Sequence, residues 1–232
     1  MGNLASTYSA LGKHIEAEKL KIQVLDATKK ILGEEHPGTM LAMGNLVCTY
    51  SDLGKYTEAE KLGIQVLNAS KKILGEEHPD TILAMGNLAY TYSHLGKHRE
   101  AGKLKIQVLD TRKRILGEEH PNTILSMGNL ACTYNELGKH TEAERLEMQV
   151  LDARKKILGE EHPDTILAME NLVSTYNDLG KHTEAEKLQI QVLDARKKIL
   201  GEEHPDTNSS MGNLAYTYSD MGKQREAEKL GI

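Results

Sequence analysis

The chain has 232 residues, of which 39% are hydrophobic and 27% are charged, with only 5 prolines. This composition is typical of a folded, water-soluble protein and excludes collagen-like and intrinsically disordered chains. The formal net charge of -5 gives no basic excess for nucleic acid or anionic membrane, and no apolar run approaches the ~18 residues of a membrane span. The N-terminus carries no charged and apolar leader, so we expect a cytoplasmic protein with no nucleic-acid or membrane partner.

A 42-residue period organises the whole chain. Six methionines mark it, each followed two residues later by Asn and three later by Leu: Met1, Met43, Met85, Met127, Met169 and Met211. The spacing predicts one repeat array over residues 1–232, with units 1–42, 43–84, 85–126, 127–168 and 169–210 and a partial unit 211–232.

Each unit reads as two antiparallel helices. In the segment 81–95, apolar residues recur every three or four positions and Gly96 follows, which predicts a helix that ends at a left-handed cap. A second apolar stripe predicts another helix from about residue 99 until Gly117. In the loop that follows, Pro121 fixes the entry to the next helix, which Asn122 or Thr123 can cap.

The second helix of some units opens with Thr-Glu-Ala-Glu, at Thr57, Thr141 and Thr183. This run predicts a capping box at those helix starts, although the turn can begin the helix one residue earlier. The third unit has Arg99 and Gly102 in place of the box residues, so we expect its second helix to fray more readily.

Two cysteines, Cys48 and Cys132, lie 84 residues apart on equivalent positions of non-adjacent units. Packed helices sit ~8–10 Å apart, so two repeats give a separation on the order of 20 Å. A disulfide within one chain is therefore excluded, because it needs Cα atoms within ~7 Å. Free thiols suit the reducing cytoplasm.

The repeated motifs resemble a known family. Asn87-Leu88-Ala89-Tyr90-Thr91-Tyr92, then Leu95-Gly96-Lys97 and Glu100-Ala101, are similar to tetratricopeptide repeats. The period of 42 and the closing Leu-Gly-Glu-Glu-His-Pro resemble the long subtype found in kinesin light chains and in repeat arms of fungal and bacterial nucleotide-switch receptors. The resemblance implies an all-α fold, a right-handed α-solenoid superhelix of antiparallel helix pairs, and a protein-binding scaffold.

No phosphate-binding loop, zinc-protease motif or nucleophile elbow occurs, so we expect no enzyme activity and no cofactor. The Glu-Glu-His loops invite a metal interpretation, with one His per unit: His36, His78, His120, His162 and His204. A closed zinc site needs four ligands, which single loops along an array do not bring together, so a structural role is favoured.

The resemblance places one stripe of the first helices in a concave groove. An Asn ladder there can pair with the backbone of an extended peptide, because an amide both donates and accepts: Asn3, Asn45, Asn87, Asn129, Asn171 and Asn213. The alternative, weighed equally, is that these amides bond a neighbouring helix.

Two further positions of the same stripe vary among the units and are candidate side-chain pockets. The first is occupied by Cys48, Tyr90, Cys132, Ser174 and Tyr216, and the second by Asp52, His94, Glu136 and Asp178. With Glu170 these residues make the groove acidic apart from lysines at its edge, which favours a basic or neutral peptide over an acidic one.

Variable positions on the second helices are interpreted as an outer, solvated face: Lys21, Gly63, Lys105, Glu147 and Gln189, with Thr28, Ser70, Arg112, Arg154 and Arg196. The array also starts and stops inside a helix pair, without polar caps. We therefore hypothesise head-to-tail self-association. Two functions stay open: a groove that binds a peptide or protein, as the sensing arm of a larger receptor, or a self-assembling structural solenoid with no groove ligand.

Overall fold

The computed structural model describes residues 7–8 and 11–230. Within these ranges the regular structure is helical and there is no strand. The helices are α1 (His14–Leu32), α2 (Pro37–Asp52), α3 (Tyr56–Leu74), α4 (Pro79–His94), α5 (His98–Leu116), α6 (Pro121–Glu136), α7 (His140–Leu158), α8 (Pro163–Asp178), α9 (His182–Leu200), α10 (Pro205–Asp220) and α11 (Gln224–Lys229).

Two kinds of helix alternate along the chain. The even-numbered helices have 16 residues and are called helices A, and odd-numbered helices from α1 to α9 have 19 residues and are called helices B. The chain forms two compact units, Met1–Ile115 and Leu116–Ile232. In the first, α1, α2, α3 and α4 pack consecutively, and in the second α6 to α11 do the same. The predicted all-α arrangement of paired helices is confirmed.

Each helix A is bounded by its His-Pro entry and its glycine exit. The Nδ1 atom of His120 accepts from the backbone N–H of Asn122 at 3.1 Å, so the histidine caps the helix and the predicted Asn122 or Thr123 cap is wrong. The same His cap begins α2, α4, α8 and α10. At the other end Gly96 has φ +71°, and the N–H of Lys97 bonds the Tyr92 carbonyl at 2.8 Å. This is the predicted left-handed cap.

Helices B begin one residue before the predicted capping box. The N-cap residues Lys55, Lys139 and Lys181 make no side-chain cap hydrogen bond, and Thr57 lies inside α3. The capping-box hypothesis is therefore wrong for α3, α7 and α9, and the fraying expected of α5 loses its premise. The predicted stop at Gly117 is correct, with φ +86°.

The Glu-Glu-His loop is explained by local contacts. Beside the His cap, its first Glu pairs with a Lys in the last turn of the preceding helix, as Lys71 does with Glu76 at 3.1 Å. Its second Glu pairs with the helix B that follows, as Glu77 does with Arg114 at 2.6 Å. In the described part of the chain no group of three or more His, Cys, Asp or Glu side chains could hold a metal ion. The His cap and these ion pairs give the loop a structural role.

The core is aliphatic in both units. In the first unit Met43, Met85 and Leu88 are buried against Val66 and Leu67 of α3. In the second unit the equivalent buried side chains are Met127, Leu130, Met169 and Leu172, with Val150 and Leu151 of α7. Methionine thus fills the space at the centre of each helix A, a role for which its flexible thioether is suited.

Candidate functional site

One face of each helix A is exposed and carries the predicted groove residues. In α4, Leu83, Tyr90 and His94 are exposed and Asn87 is half-buried between them. Spacings of three and four residues place these side chains on one helical face. The other predicted residues of this face that the structure describes are exposed as well: Asn45, Asn129, Asn171, Asn213, Cys48, Cys132, Ser174, Tyr216, Asp52, Glu136 and Asp178. Asn3 lies outside the described residues.

A row of exposed leucines runs beside the asparagines. The members are Leu41, Leu83, Leu125 and Leu167, which are 67%, 57%, 50% and 49% exposed. Ser209 replaces this leucine in α10.

The first unit holds a cavity of about 320 Å³ between α2 and α4. Its walls include Asn45, Cys48 and Asn87 from the predicted groove. The amide Nδ2 of Asn87 lies 3.7 Å from the Cys48 Sγ. Val66 and Ser70 of α3 form the floor. The two asparagines and the variable cysteine therefore do come together.

The second unit repeats this arrangement between α6 and α8. A cavity of about 170 Å³ is lined by Asn129, Cys132 and Asn171, and Glu147, Val150 and Arg154 of α7 form its floor. A smaller one of about 70 Å³ lies between α8 and α10, where Asn213 faces Gln189 and Val192 of α9.

The floor residues are the part of the site that sequence reasoning missed. The position occupied by Gly63, Glu147 and Gln189 is buried, as is Ser70. The side chain of Arg196 is only 17% exposed. The interpretation of these helix B positions as an outer solvated face is therefore wrong, because α3 packs against α2 and α4, α7 against α6 and α8, and α9 against α8 and α10.

A pairing of residues twelve positions apart could have revealed the floor. Asn occurs at positions 135 and 177, and the residue twelve positions after it is Glu147 or Gln189. The other copies have Ser at the first of these two positions and Lys or Gly at the second. The structure shows the reason, because the Asn135 Nδ2 donates to Glu147 Oε1 at 3.1 Å. In the first unit Lys105 Nζ donates to Ser93 Oγ at 3.3 Å.

Glu147 is a buried carboxyl group in the second unit, 5% exposed. The amide of Asn135 donates both to it and to Thr175 Oγ1, the latter at 2.8 Å. Desolvation raises the pKa of Glu147, hydrogen bonds from Thr175 and Asn135 lower it, and the charges of Asp178 and Glu144 raise it further. Its Oε2 atom is buried and has no hydrogen-bond partner among the described residues.

The second variable position, which is the last residue of helix A and is called the rim position, contacts the helix B that precedes it. The Asp178 carboxylate lies 3.5 Å from the Nδ1 of His140, and Asp52 lies 3.9 Å from His14. Where the rim residue is His94, its ring stacks on Tyr56 with centroids 4.6 Å apart. Asp52, His94 and Asp178 are thus engaged between neighbouring helices and do not line the cavities.

Two charged features of the groove are internally paired. The Glu170 carboxylate, expected to add to the acidity, bonds Arg196 at 2.9 Å, so its charge is offset. The edge lysines reach a Glu of the preceding helix B, as Lys97 does with Glu60 at 2.6 Å, and this hydrogen bond raises the Lys97 pKa. Lys97 also lies 5.7 Å from the centre of the Tyr92 ring.

Comparison with known proteins agrees with the geometry. The model of the tetratricopeptide repeat family matches residues 1–72, 49–104, 84–156 and 164–231. A solved kinesin light chain-like protein from Podosopora anserina with nearly identical TPR-like repeats is similar, with 32% identity, a TM-score of 0.79, and coverage of 86% of this chain and 94% of that one. No curated protein sequence matches the chain.

Two more distant structures share the fold. A Rap protein complexed with Competence and Sporulation Factor has 11% identity and a TM-score of 0.61, covering 99% of this chain and 71% of that one. NprR in complex with its cognate peptide NprX has 20% identity and a TM-score of 0.55, covering 89% and 58%. In the described ranges no helix is both long and apolar enough to cross a membrane. The repeated helix pairs, their motifs and the family match together show that the chain belongs to the tetratricopeptide repeat family.

Proposed function

We propose that this chain is a non-enzymatic scaffold that binds an extended peptide, or an extended segment of a protein, along the exposed face of its helices A. The observation that carries the proposal is the recurring cavity between successive helices A, walled by asparagines and floored by helix B. Repeated concave sites with a few placed polar groups suit a ligand that is itself a repeating chain.

The asparagines supply contacts that are independent of the peptide sequence. Asn45, Asn129, Asn171 and Asn213 are exposed, and each amide can donate to a carbonyl and accept from an N–H of a peptide backbone. The leucines at Leu41, Leu83, Leu125 and Leu167 add apolar area beside them. The floors and the variable positions then select the side chains.

The two distant structural neighbours support the class of ligand. One is a Rap protein complexed with Competence and Sporulation Factor, and the other is NprR in complex with its cognate peptide NprX. We extend peptide binding to this chain by analogy of fold. In a longer protein, this array would serve as the ligand-sensing arm.

Selection of random dodecapeptides displayed on phage tests the proposal, with binding of the selected peptides measured for the wild-type chain, Asn87→Ala and Asn129→Ala. Loss of one amide removes one or two hydrogen bonds, so each variant should bind roughly three- to tenfold more weakly. Asn68→Ala is the matched control, because Asn68 is an exposed asparagine of α3 outside the cavity linings.

Equal affinity of Asn87→Ala, Asn129→Ala and the wild type would refute the proposal that these asparagines hydrogen-bond the peptide backbone. Light scattering over a concentration series separates the alternative function. A chain that selects no peptide and grows in mass with concentration would instead be the self-assembling solenoid.

A further inference from the structure

The floor of the cavity between α6 and α8 differs in charge from the other described cavities. The position of Glu147 is occupied by Gly63 in α3, where it does not line the first-unit cavity, and by Gln189 in the cavity between α8 and α10. It lines a space of about 170 Å³. A carboxyl group on this floor is therefore confined to one place along the described helices.

Asn135 and Thr175 hold the Glu147 carboxyl group in place, but one of its two oxygens has no hydrogen-bond partner among the described residues. Asn135 fixes its Oε1 at 3.1 Å, while its Oε2 is buried without a hydrogen-bond partner in the described part of the chain. Burying a carboxylate without a counter-charge is costly, and such groups in proteins are normally paired. The unpaired Oε2 would gain a hydrogen-bond donor if a cationic group entered the cavity that Glu147 lines.

The basic side chain in the same cavity does not supply that cation. Arg154 lies seven residues beyond Glu147 on α7, which is about 10 Å along the helix axis. Its Nη1 donates to the backbone carbonyl of Asp164 at 2.6 Å. Arg154 is therefore engaged two turns away, at the part of the cavity near the start of α8.

We propose that this cavity binds the basic side chain of a peptide lysine or arginine, with its cationic group on Glu147. The proposal rests on the proposed function and adds to it one position along the groove, Glu147, at which a positive charge of the peptide is recognised. A lysine ammonium has three donors, and the amides of Asn129 and Asn171 in the walls offer it two further acceptors. Leu125, Val150 and Leu167 provide apolar walls for its methylene stem.

The test uses the full chain and dodecapeptides selected from a random display library. For each selected peptide, affinity is measured by fluorescence anisotropy for the wild type and Glu147→Gln, and each basic residue of the peptide is replaced in turn by the uncharged norleucine. Glu142→Gln is the matched control, because Glu142 is an exposed acid in the first turn of the same helix. Alkylation of Cys132, which lines the cavity, reports whether the peptide occupies it.

The selected peptides should share a basic residue whose replacement weakens binding about tenfold or more, as does Glu147→Gln, since a buried charge-assisted hydrogen bond is lost. The two changes together should cost no more than one alone, because they remove the same contact. Glu142→Gln should bind as the wild type does.

Two results would overturn the proposal and are distinguishable. In the first, peptides protect Cys132 from alkylation, but neither Glu147→Gln nor norleucine in the peptide changes the affinity. The groove then binds peptides, and the proposal that Glu147 binds a basic side chain is wrong. In the second, no selected peptide protects Cys132. This groove then does not bind peptides, and both the proposed function and the proposal that Glu147 binds a basic side chain are wrong.

Discussion

The cavities of the two units have the same walls and different floors. Both are bounded by two helices A that present Asn and Cys, at Asn45 and Cys48 in one and at Asn129 and Cys132 in the other. Helix B forms the floor of both, yet the first floor has Val66, Ser70 and Leu74, whereas the second has the buried acid Glu147, Val150 and, in place of the serine, Arg154. The cavity volume falls from about 320 Å³ to about 170 Å³.

The difference shows how a repeat array can vary its binding properties without changing its backbone. The wall asparagines stay constant, while single substitutions on helix B change the volume and charge of the cavity in each repeat. Such substitutions must be accommodated by neighbours, and Asn135 is the neighbour that accommodates Glu147. The comparison can therefore be tested by moving the acid, by removing its neighbour, and by changing features that the units share.

Moving the acid into the first unit should have the largest effect. A Cβ at Gly63 would lie 3.3 Å from the Leu88 Cδ1 and 3.9 Å from the Val47 Cγ1, so Gly63→Glu buries a carboxylate among apolar atoms. We expect a loss of about 3 kcal/mol in the free energy of unfolding at pH 7, measured by urea denaturation.

The double variant Ser51→Asn with Gly63→Glu sharpens that result. Ser51 is the equivalent of Asn135, so the new amide should restore about 1 kcal/mol by donating to the carboxylate. A double variant no more stable than Gly63→Glu would contradict the account of how the floor acid is accommodated.

Removing the neighbour in the second unit should have the next largest effect. Asn135→Ala leaves the Oε1 of Glu147 and the hydroxyl of Thr175 without the donor that bonds both. We expect a loss of about 2 kcal/mol at pH 7, because a buried carboxylate loses a hydrogen bond. Asn68→Ala is the control, because Asn68 is an exposed asparagine of α3, and it should change stability by less than about 0.5 kcal/mol.

Much of the fold follows from patterns within one repeat, and the floor does not. The helix pairs and the glycine caps at Gly96 and Gly117 were predicted, because periodicity and positive-φ glycines are local signals. Glu147 was assigned to solvent, because a position that varies between Lys, Gly, Glu and Gln looks exposed. Its burial depends on the next repeat, a contact visible in the sequence only through its pairing with Asn135.

The capping error has a different physical cause. Thr57 can cap in principle, but the tight exit from the preceding helix already bonds the N–H of Lys55 to the Tyr50 carbonyl at 2.8 Å. Helix B therefore starts directly after this turn, and Thr57 lies within it. The histidine cap of helix A was missed because imidazole is not among the common N-cap side chains.

Features shared by both units should respond equally in both. The Nδ1 of His78 and of His120 each cap a helix A, at 3.2 Å and 3.1 Å from a backbone nitrogen. His78→Ala and His120→Ala should each lower the free energy of unfolding by about 1 kcal/mol. A loss confined to one unit, read from urea denaturation of both variants, would mean that the caps are not equivalent.

The pH dependence of Glu147→Gln should be the smallest effect. Burial raises the pKa of Glu147, with Asp178 and Glu144 adding to the rise against the hydrogen bonds from Thr175 and Asn135. The folded chain therefore keeps the proton at pH values where the unfolded chain has lost it, and stability falls as the pH rises above the ordinary Glu pKa of about 4.3.

Glu147→Gln removes this contribution. The free energy of unfolding of Glu147→Gln should therefore rise relative to that of the wild type from pH 4 to pH 7. The neighbouring His140, which contacts Asn135, is the same in both chains. Glu142→Gln, which changes an exposed acid, provides the reference slope. A difference between Glu147→Gln and the wild type that does not vary with pH would argue against a raised pKa at Glu147.

The two cysteine thiols allow the most direct test of the groove, because Cys48 lines the cavity of the first unit and Cys132 that of the second. Desolvation and the Asp52 charge raise the Cys48 pKa, so each thiol is compared with itself, by its iodoacetamide alkylation rate with and without a saturating selected peptide. At a peptide concentration about nine times the wild-type Kd, we expect about tenfold protection of Cys132 by peptides that carry a basic residue, falling to about twofold or less in Glu147→Gln. Unchanged alkylation of both thiols in the presence of a bound peptide would contradict it, because the peptide would then bind elsewhere.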